Sequence, residues 1–199
     1  MVPEEEAEDR LEQLYAAARA RAGRVANIVK AQGQRPLCAV AFLEAYKACM
    51  FGECSLPLEE REMIATVVSR ANRSHYSVEA HGEELRRLTG NDALVNSLKT
   101  DYTQADVPAR LRAILDYAVK LTMAPASMAA TDVVTLRAHG LTEATILDIV
   151  EIAAFFNMAN RIAEALNVDT EDGMEPYPVF PLRGRPTDGS GGSGRGGPW

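Results

Sequence analysis

The residues that could do chemistry gather in one stretch, R-S-H-Y-S-V-E-A-H-G, Arg73 to Gly82. Ser74, Ser77 and His81 follow one another at spacings of three and four, which places them on one face if the stretch is helical. Glu62 stands twelve residues before Ser74. Two small polar groups three apart, with an imidazole a turn later and a carboxylate upstream, have the layout of a thiol redox site. Here, however, the positions that would need sulfur carry hydroxyls. A carboxylate and an imidazole can also run general acid–base chemistry, if burial tunes them. Taken singly, each residue has a plainer reading: Glu62 as a first-turn helix glutamate, Ser74 as an N-cap, His81 as a satisfied histidine. His75 points about 100° around the helix from Ser74 and reads as peripheral. Only the joint spacing singles out Glu62, Ser74, Ser77 and His81.

The elements that must hold these residues are helices. Ala, Leu, Glu, Arg and Met dominate, and no run alternates apolar and polar residues at period two. The pattern predicts a first helix over residues 4–22. Pro36 suits a helix start, with Leu37 to Phe51 following on an apolar stripe. Ser55 reads as the N-cap of the next helix, with Pro57 in its first turn and Glu59, Glu60 and Glu62 near its positive end. Met63, Ile64, Val67, Val68 and Ala71 give it an apolar face. Helices are then expected from about Ser74 to Leu88, Asp92 to Lys99, Pro108 to Leu121, Thr131 to His139, and Thr142 to Leu166. The segment Ala153–Arg161 is apolar enough for burial in a core or an interface. Three segments follow: an acidic N-terminal helix over residues 1–24, a helical domain over 25–170, and a Pro/Gly-rich arm and tail over 171–199.

Composition narrows the partners. The chain has 199 residues, 47% hydrophobic and 25% charged, with a net charge of −7. That is enough chain for one substantial core. The acidic balance argues against nucleic acid, which needs a clustered basic patch, and against an anionic membrane surface. No apolar run reaches the roughly 20 residues of a membrane-spanning helix. The acidic start does not resemble a secretory signal, and the expected location is cytoplasmic.

Three cysteines, Cys38, Cys49 and Cys54, are too few and odd in number for a disulfide framework. Cys38 and Cys49 lie eleven residues apart in one helical segment, which at ~1.5 Å per residue is too far for a bridge. Cys54 precedes a helix start, where a thiolate is favoured, but has no partner nearby in sequence. Zinc on Glu62, His75 and His81 would require ligands six apart on one helix, a spacing that splits them between faces.

The stretch L-P-L-E-E-R-E-M-I-A-T-V-V-S-R-A-N-R-S-H-Y-S-V-E-A-H-G resembles the alkylhydroperoxidase D / carboxymuconolactone decarboxylase superfamily, and within it the peroxidase-related group. The likeness continues in A-D-V-P-A-R-L-R-A-I-L-D-Y-A-V-K-L-T and G-L-T-E-A-T-I-L-D-I-V-E-I-A-A-F-F-N-M-A-N-R-I-A, covering roughly residues 25–170. It implies an all-α, alkylhydroperoxidase D-like domain that needs no cofactor and assembles as a dimer, trimer or hexamer. It also implies a small-molecule substrate and, for the redox members, a dithiol reductant protein. The family's redox members use a Glu, two cysteines in C-x-x-C and a His four residues on. Those positions fall on Glu62, Ser74, Ser77 and His81. Both sulfurs are missing, and a hydroxyl cannot form a sulfenic acid or a disulfide. The serines could be laboratory substitutions that trap a reduced-like state. They could equally be native, on a scaffold that does acid–base chemistry on a lactone or carbonyl compound, as the carboxymuconolactone decarboxylases do. A non-catalytic oligomeric binding protein is the third reading.

Overall fold

The structure, a computed structural model, describes residues 1–171; the expected arm and tail beyond Glu171 lie outside them. Among the described residues the regular structure is helical: α1 (Asp9–Ala22), α2 (Asn27–Ala31), α3 (Pro36–Phe51), α4 (Leu58–Ala71), α5 (His75–Thr89), α6 (Asp92–Thr100), α7 (Ala109–Met123), α8 (Ala130–Ala138) and α9 (Glu143–Ala165). Short 3-10 turns sit at Glu4–Glu6, Tyr102–Gln104 and Pro125–Ser127. No described helix is long and apolar enough to cross a membrane.

Most boundaries follow the start and stop chemistry of the sequence. The expected helix over 4–22 is broken into a 3-10 turn and α1, with Ala7 extended between them. Helix α4 is entered from Pro57 rather than Ser55. The Ser55 hydroxyl is occupied instead, 2.6 Å from the Thr145 hydroxyl. Thr142 caps α9 as expected, accepting from Thr145 N–H. Helix α8 starts at Ala130, and the Asp132 carboxylate, not Thr131, takes the free Ala129 N–H at 2.7 Å. Gly90, with φ 61°, ends α5 in the left-handed conformation that a glycine adopts without cost.

Helix α4 is the axis of the fold. Every residue from Arg61 to Ser69 is buried, and the helix packs on α5, α7 and α9. Ile64, Ala65, Val67 and Val68 meet Ile149, Ile152, Ala153 and Phe156 of α9 in one core. Helix α1 joins the same core through Leu11, Leu14, Tyr15 and Ala18, so the N-terminal segment is part of the packed unit. The loop before α4 is tied down by Arg61, which is itself buried. Its guanidinium donates to the carbonyls of Met50, Gly52, Cys54 and Leu56 at 2.8 to 3.3 Å. Two of these carbonyls lie at the end of α3, where helical partners run out.

The turn from α4 to α5 sets the site. Arg73 sits at φ 58°, a left-handed conformation costing a non-glycine residue about 1–2 kcal/mol. In return, Arg73 N–H reaches Arg70 O and Ser74 N–H reaches Ser69 O, both at 3.0 Å. This closes the α4 end as a Schellman-type turn and starts α5 immediately. Helix α5 therefore folds back along α4, and its first turns face Glu62 and Ser69.

Candidate active site

Glu62, on α4, is fully buried. His81, on α5, is 13% exposed at its side chain and places Nδ1 2.7 Å from Glu62 Oε2. In the neutral tautomer that suits this contact, Nδ1–H donates to the carboxylate and Nε2 keeps its lone pair. The imidazole stands edge-on to Phe156 at 4.5 Å between ring centroids, with the Tyr46 ring 6.3 Å away. Packing and the carboxylate together fix the ring in one orientation. The second Glu62 oxygen, Oε1, is buried with no hydrogen-bond partner among the described residues.

Ser74 precedes the first residue of α5 and is fully buried, and Ser77 is nearly so. Ser74 occupies the N-cap position but makes no side-chain cap; its hydroxyl donates to Ser77 Oγ at 3.5 Å, a long contact. The four residues singled out by spacing therefore form two contacting pairs, Glu62–His81 and Ser74–Ser77, on the hairpin of α4 and α5. The His75 backbone N–H is taken by Glu164 Oε1 at 3.2 Å. Among the described residues, no group of three His, Cys, Asp or Glu side chains is placed to hold a metal.

A cavity of about 1160 Å³ lies beside this site. Ser77 and His81 lie in its wall, with Phe42, Tyr46, Phe155 and Phe156 among the aromatic groups around them. None of the three cysteines lines it. Cys54 is turned away and donates its thiol to Asp148 Oδ2 at 3.0 Å. Burial, and then that carboxylate, push its pKa up, so a favourable helix start does not yield a thiolate here. Burial likewise raises Cys49. All three thiols are free.

Several supporting groups were not evident from spacing. Ser69 donates to Asn160 Oδ1 of α9 at 3.2 Å, and both are buried. Tyr76 donates to Glu171 Oε1 at 2.7 Å, and the same oxygen takes the Asn27 N–H at 3.0 Å. This clasp holds the chain after α9 against the start of α2. The second amide of the apolar run A-A-F-F-N-M-A-N-R, three residues after Asn157, was the available signal for Asn160.

A helical pocket with a buried carboxylate–imidazole pair at the head of a helical hairpin defines the alkylhydroperoxidase D-like class of helical proteins. The comparisons with known proteins agree. The model for the carboxymuconolactone decarboxylase family matches residues 36–92, a stretch that contains all four site positions. The crystal structure of an uncharacterized peroxidase-related protein from Silicibacter sp. TM1040 is 36% identical, with a TM-score of 0.80 over 84% of this chain and 88% of that one. A second structure, described as an alkylhydroperoxidase AhpD core, an uncharacterized peroxidase-related protein from Ralstonia eutropha JMP134, is 34% identical. Its TM-score is 0.81 over 86% of this chain and 91% of that one. The debrominase Bmp8 shares the fold at 22% identity and a TM-score of 0.71, over 82% of this chain and 86% of its own. No match is found among curated proteins. The chain belongs to the alkylhydroperoxidase D / carboxymuconolactone decarboxylase superfamily.

Proposed function

We propose that this chain is a cofactor-free acid–base enzyme, with His81 as the proton-transferring base and Glu62 as its orienting carboxylate. The observation that carries this is the 2.7 Å contact between His81 Nδ1 and a buried Glu62 oxygen, at the wall of a cavity without a thiol. With Nδ1–H committed to the carboxylate, Nε2 faces the cavity as an acceptor. Glu62 also stabilises the imidazolium that forms when the proton is taken. The Ser77 hydroxyl, in the same wall, donates to a substrate oxygen on which charge develops. The aromatic rings around His81 lower the local polarity, which strengthens both interactions. They also suit a substrate with an apolar or aromatic body and a carbonyl or lactone group.

The test is deuterium exchange of acidic carbon-bound protons in a panel of aromatic and alicyclic ketones and lactones, followed by proton NMR in D₂O. Exchange or ring opening by the parent chain, abolished in His81→Ala, supports the reading. Equal rates for the parent and His81→Ala across the panel would reject it.

A second reading, a hydroperoxide-reducing pocket without its sulfurs, is favoured by two observations. The side-chain atoms at positions 74 and 77 approach to 3.5 Å, and related proteins at 36% and 34% identity are described as peroxidase-related. In that chemistry a thiolate takes the distal peroxide oxygen and releases an alcohol. The second thiol then displaces water to form a disulfide, which an external dithiol reduces.

A further inference from the structure

We propose that the outer face of α3 is a contact between two copies of this chain, paired antiparallel about a two-fold axis at Glu44. Of the 16 residues of α3, P-L-C-A-V-A-F-L-E-A-Y-K-A-C-M-F, only Glu44 and Lys47 are charged. A helix that is apolar all round belongs in a core or an interface. Yet α3 buries only one side, through Ala39, Phe42, Leu43 and Met50.

The opposite side carries Leu37, Ala41, Glu44, Ala48 and Phe51, all exposed, Leu37 at 65% and Phe51 at 50%. Their spacings alternate between four and three, which keeps them in one seam, the pattern of a helix that pairs with another helix. Large groups stand at the two ends. Ala41 and Ala48 flank the middle, where small side chains let a second backbone approach.

The charges around the seam set the partner and its direction. Leu37 and Phe51 lie seven residues either side of Glu44, and Arg35 and Glu53 lie nine. Arg35 and Glu53 are both exposed, and neither side chain has a hydrogen bond or ion pair among the described residues. A second copy laid antiparallel over Glu44 brings Leu37 onto the partner's Phe51 and Arg35 onto the partner's Glu53. By symmetry each contact occurs twice. A parallel pair would instead set Arg35 against the partner's Arg35, and Glu53 against the partner's Glu53. At the axis the two Glu44 carboxylates approach each other, but each already holds Lys47 Nζ of its own chain at 2.7 Å, which balances the charge. The face is complementary to itself in charge and in size. Glu44, Lys47, Ala48 and Phe51 also line the cavity, so the second copy shields that rim from water.

The experiment is sedimentation velocity of the full chain over a range of concentrations, with far-UV circular dichroism to confirm that each variant is folded. The parent should self-associate, with a dimer as the first step. Ala41→Glu, at an exposed position outside the cavity wall, should leave a monomer. Arg35→Glu and Glu53→Arg each turn two ion pairs into like-charge contacts, and each should raise the dimer Kd roughly tenfold. The double variant Arg35→Glu/Glu53→Arg should return to the parent value, because the antiparallel register regains both pairs with their signs exchanged. Should Ala41→Glu fail to fold, the three charge variants carry the test. A parent that stays monomeric, or a dimer unmoved by Ala41→Glu and by both single reversals, would overturn the proposal. Single reversals that weaken the dimer without recovery in the double variant would also overturn it. Self-association is read without turnover, so a failure here leaves the proposed function standing.

Discussion

Glu62 and His81 are nineteen positions apart in sequence and 2.7 Å apart in space. A single turn, strained at Arg73, brings them together. The contact makes Glu62→Gln informative. An amide presented to Nδ1 can donate as well as accept, so the ring can turn to the Nε2–H tautomer and lose its lone pair towards the cavity. Exchange rates should fall by roughly 10²–10⁴ in His81→Ala, and substantially in Glu62→Gln. Glu62→Gln should melt no lower than the parent, because a buried carboxylate is replaced by a neutral group. Rates and thermal melts on the same preparations check both parts.

Lys99 and Glu79 form an ion pair at 2.8 Å, 1% and 5% exposed. Burial lowers the Lys99 pKa, and Glu79 only partly offsets this. Removing one partner strands the other: Lys99→Met should lose about 3–5 kcal/mol in urea unfolding. The double variant Lys99→Met/Glu79→Leu should recover most of that loss, since an apolar pair of similar volume is often no less stable than a buried ion pair.

Gly82 makes room for that lysine. A β-carbon there would lie 2.8 Å from Lys99 Cδ and 3.3 Å from Cε, and Lys99 is held in place by Glu79. Gly82→Ala gains up to about 1 kcal/mol in helix propensity, against an overpacking cost of about 1–3 kcal/mol. The expected net effect is a lower urea midpoint. In the Lys99→Ala background the sign should reverse, because the obstructing stem is gone.

Tyr76 supplies a pH signature. Burial, and then the Glu171 carboxylate beside it, raise its pKa above the ordinary 10. A raised folded pKa means that the protonated phenol contributes stability below about pH 10, and that this contribution fades as pH rises above 10. Tyr76→Phe should therefore be about 1–2 kcal/mol less stable at neutral pH, having lost a donor to a buried carboxylate. The gap between the two chains should narrow above pH 10, as measured by urea midpoints from pH 7 to 11.

Restoring sulfur tests the second reading of the pocket. Ser74→Cys/Ser77→Cys should consume an organic hydroperoxide with dithiothreitol as reductant, while the parent chain does not. Adding His81→Ala to the double variant should suppress turnover. A folded double variant without turnover would remove the peroxidase reading.

How much of this was legible along the chain follows from the range of each interaction. Helix existence is written locally. The stripe Met63–Ile64–Val67–Val68, Pro36 at a helix start, Thr142 at another and Gly90 at a stop act within one or two turns, so the all-helical fold could be read directly. Glu62 and His81, picked out by their spacing, also meet, because two helices joined by a three-residue turn convert sequence spacing into a contact. Helix starts were less legible where two capping groups compete. Thr145 of α9 claims Ser55, and the helix expected from Thr131 starts at Ala130, with Asp132 taking the Ala129 N–H.

What the sequence by itself determined is therefore the helical framework, the four site positions and the absence of sulfur at two of them. Tertiary structure alone decided which nitrogen of His81 meets Glu62, that burial and Asp148 raise the Cys54 pKa, that Lys99 must pass over Gly82, and that Ser69 of α4 holds Asn160 of α9. Each of these joins residues from separate segments of the chain. Side-chain contacts at that separation depend on packing angle and register, which no local pattern encodes.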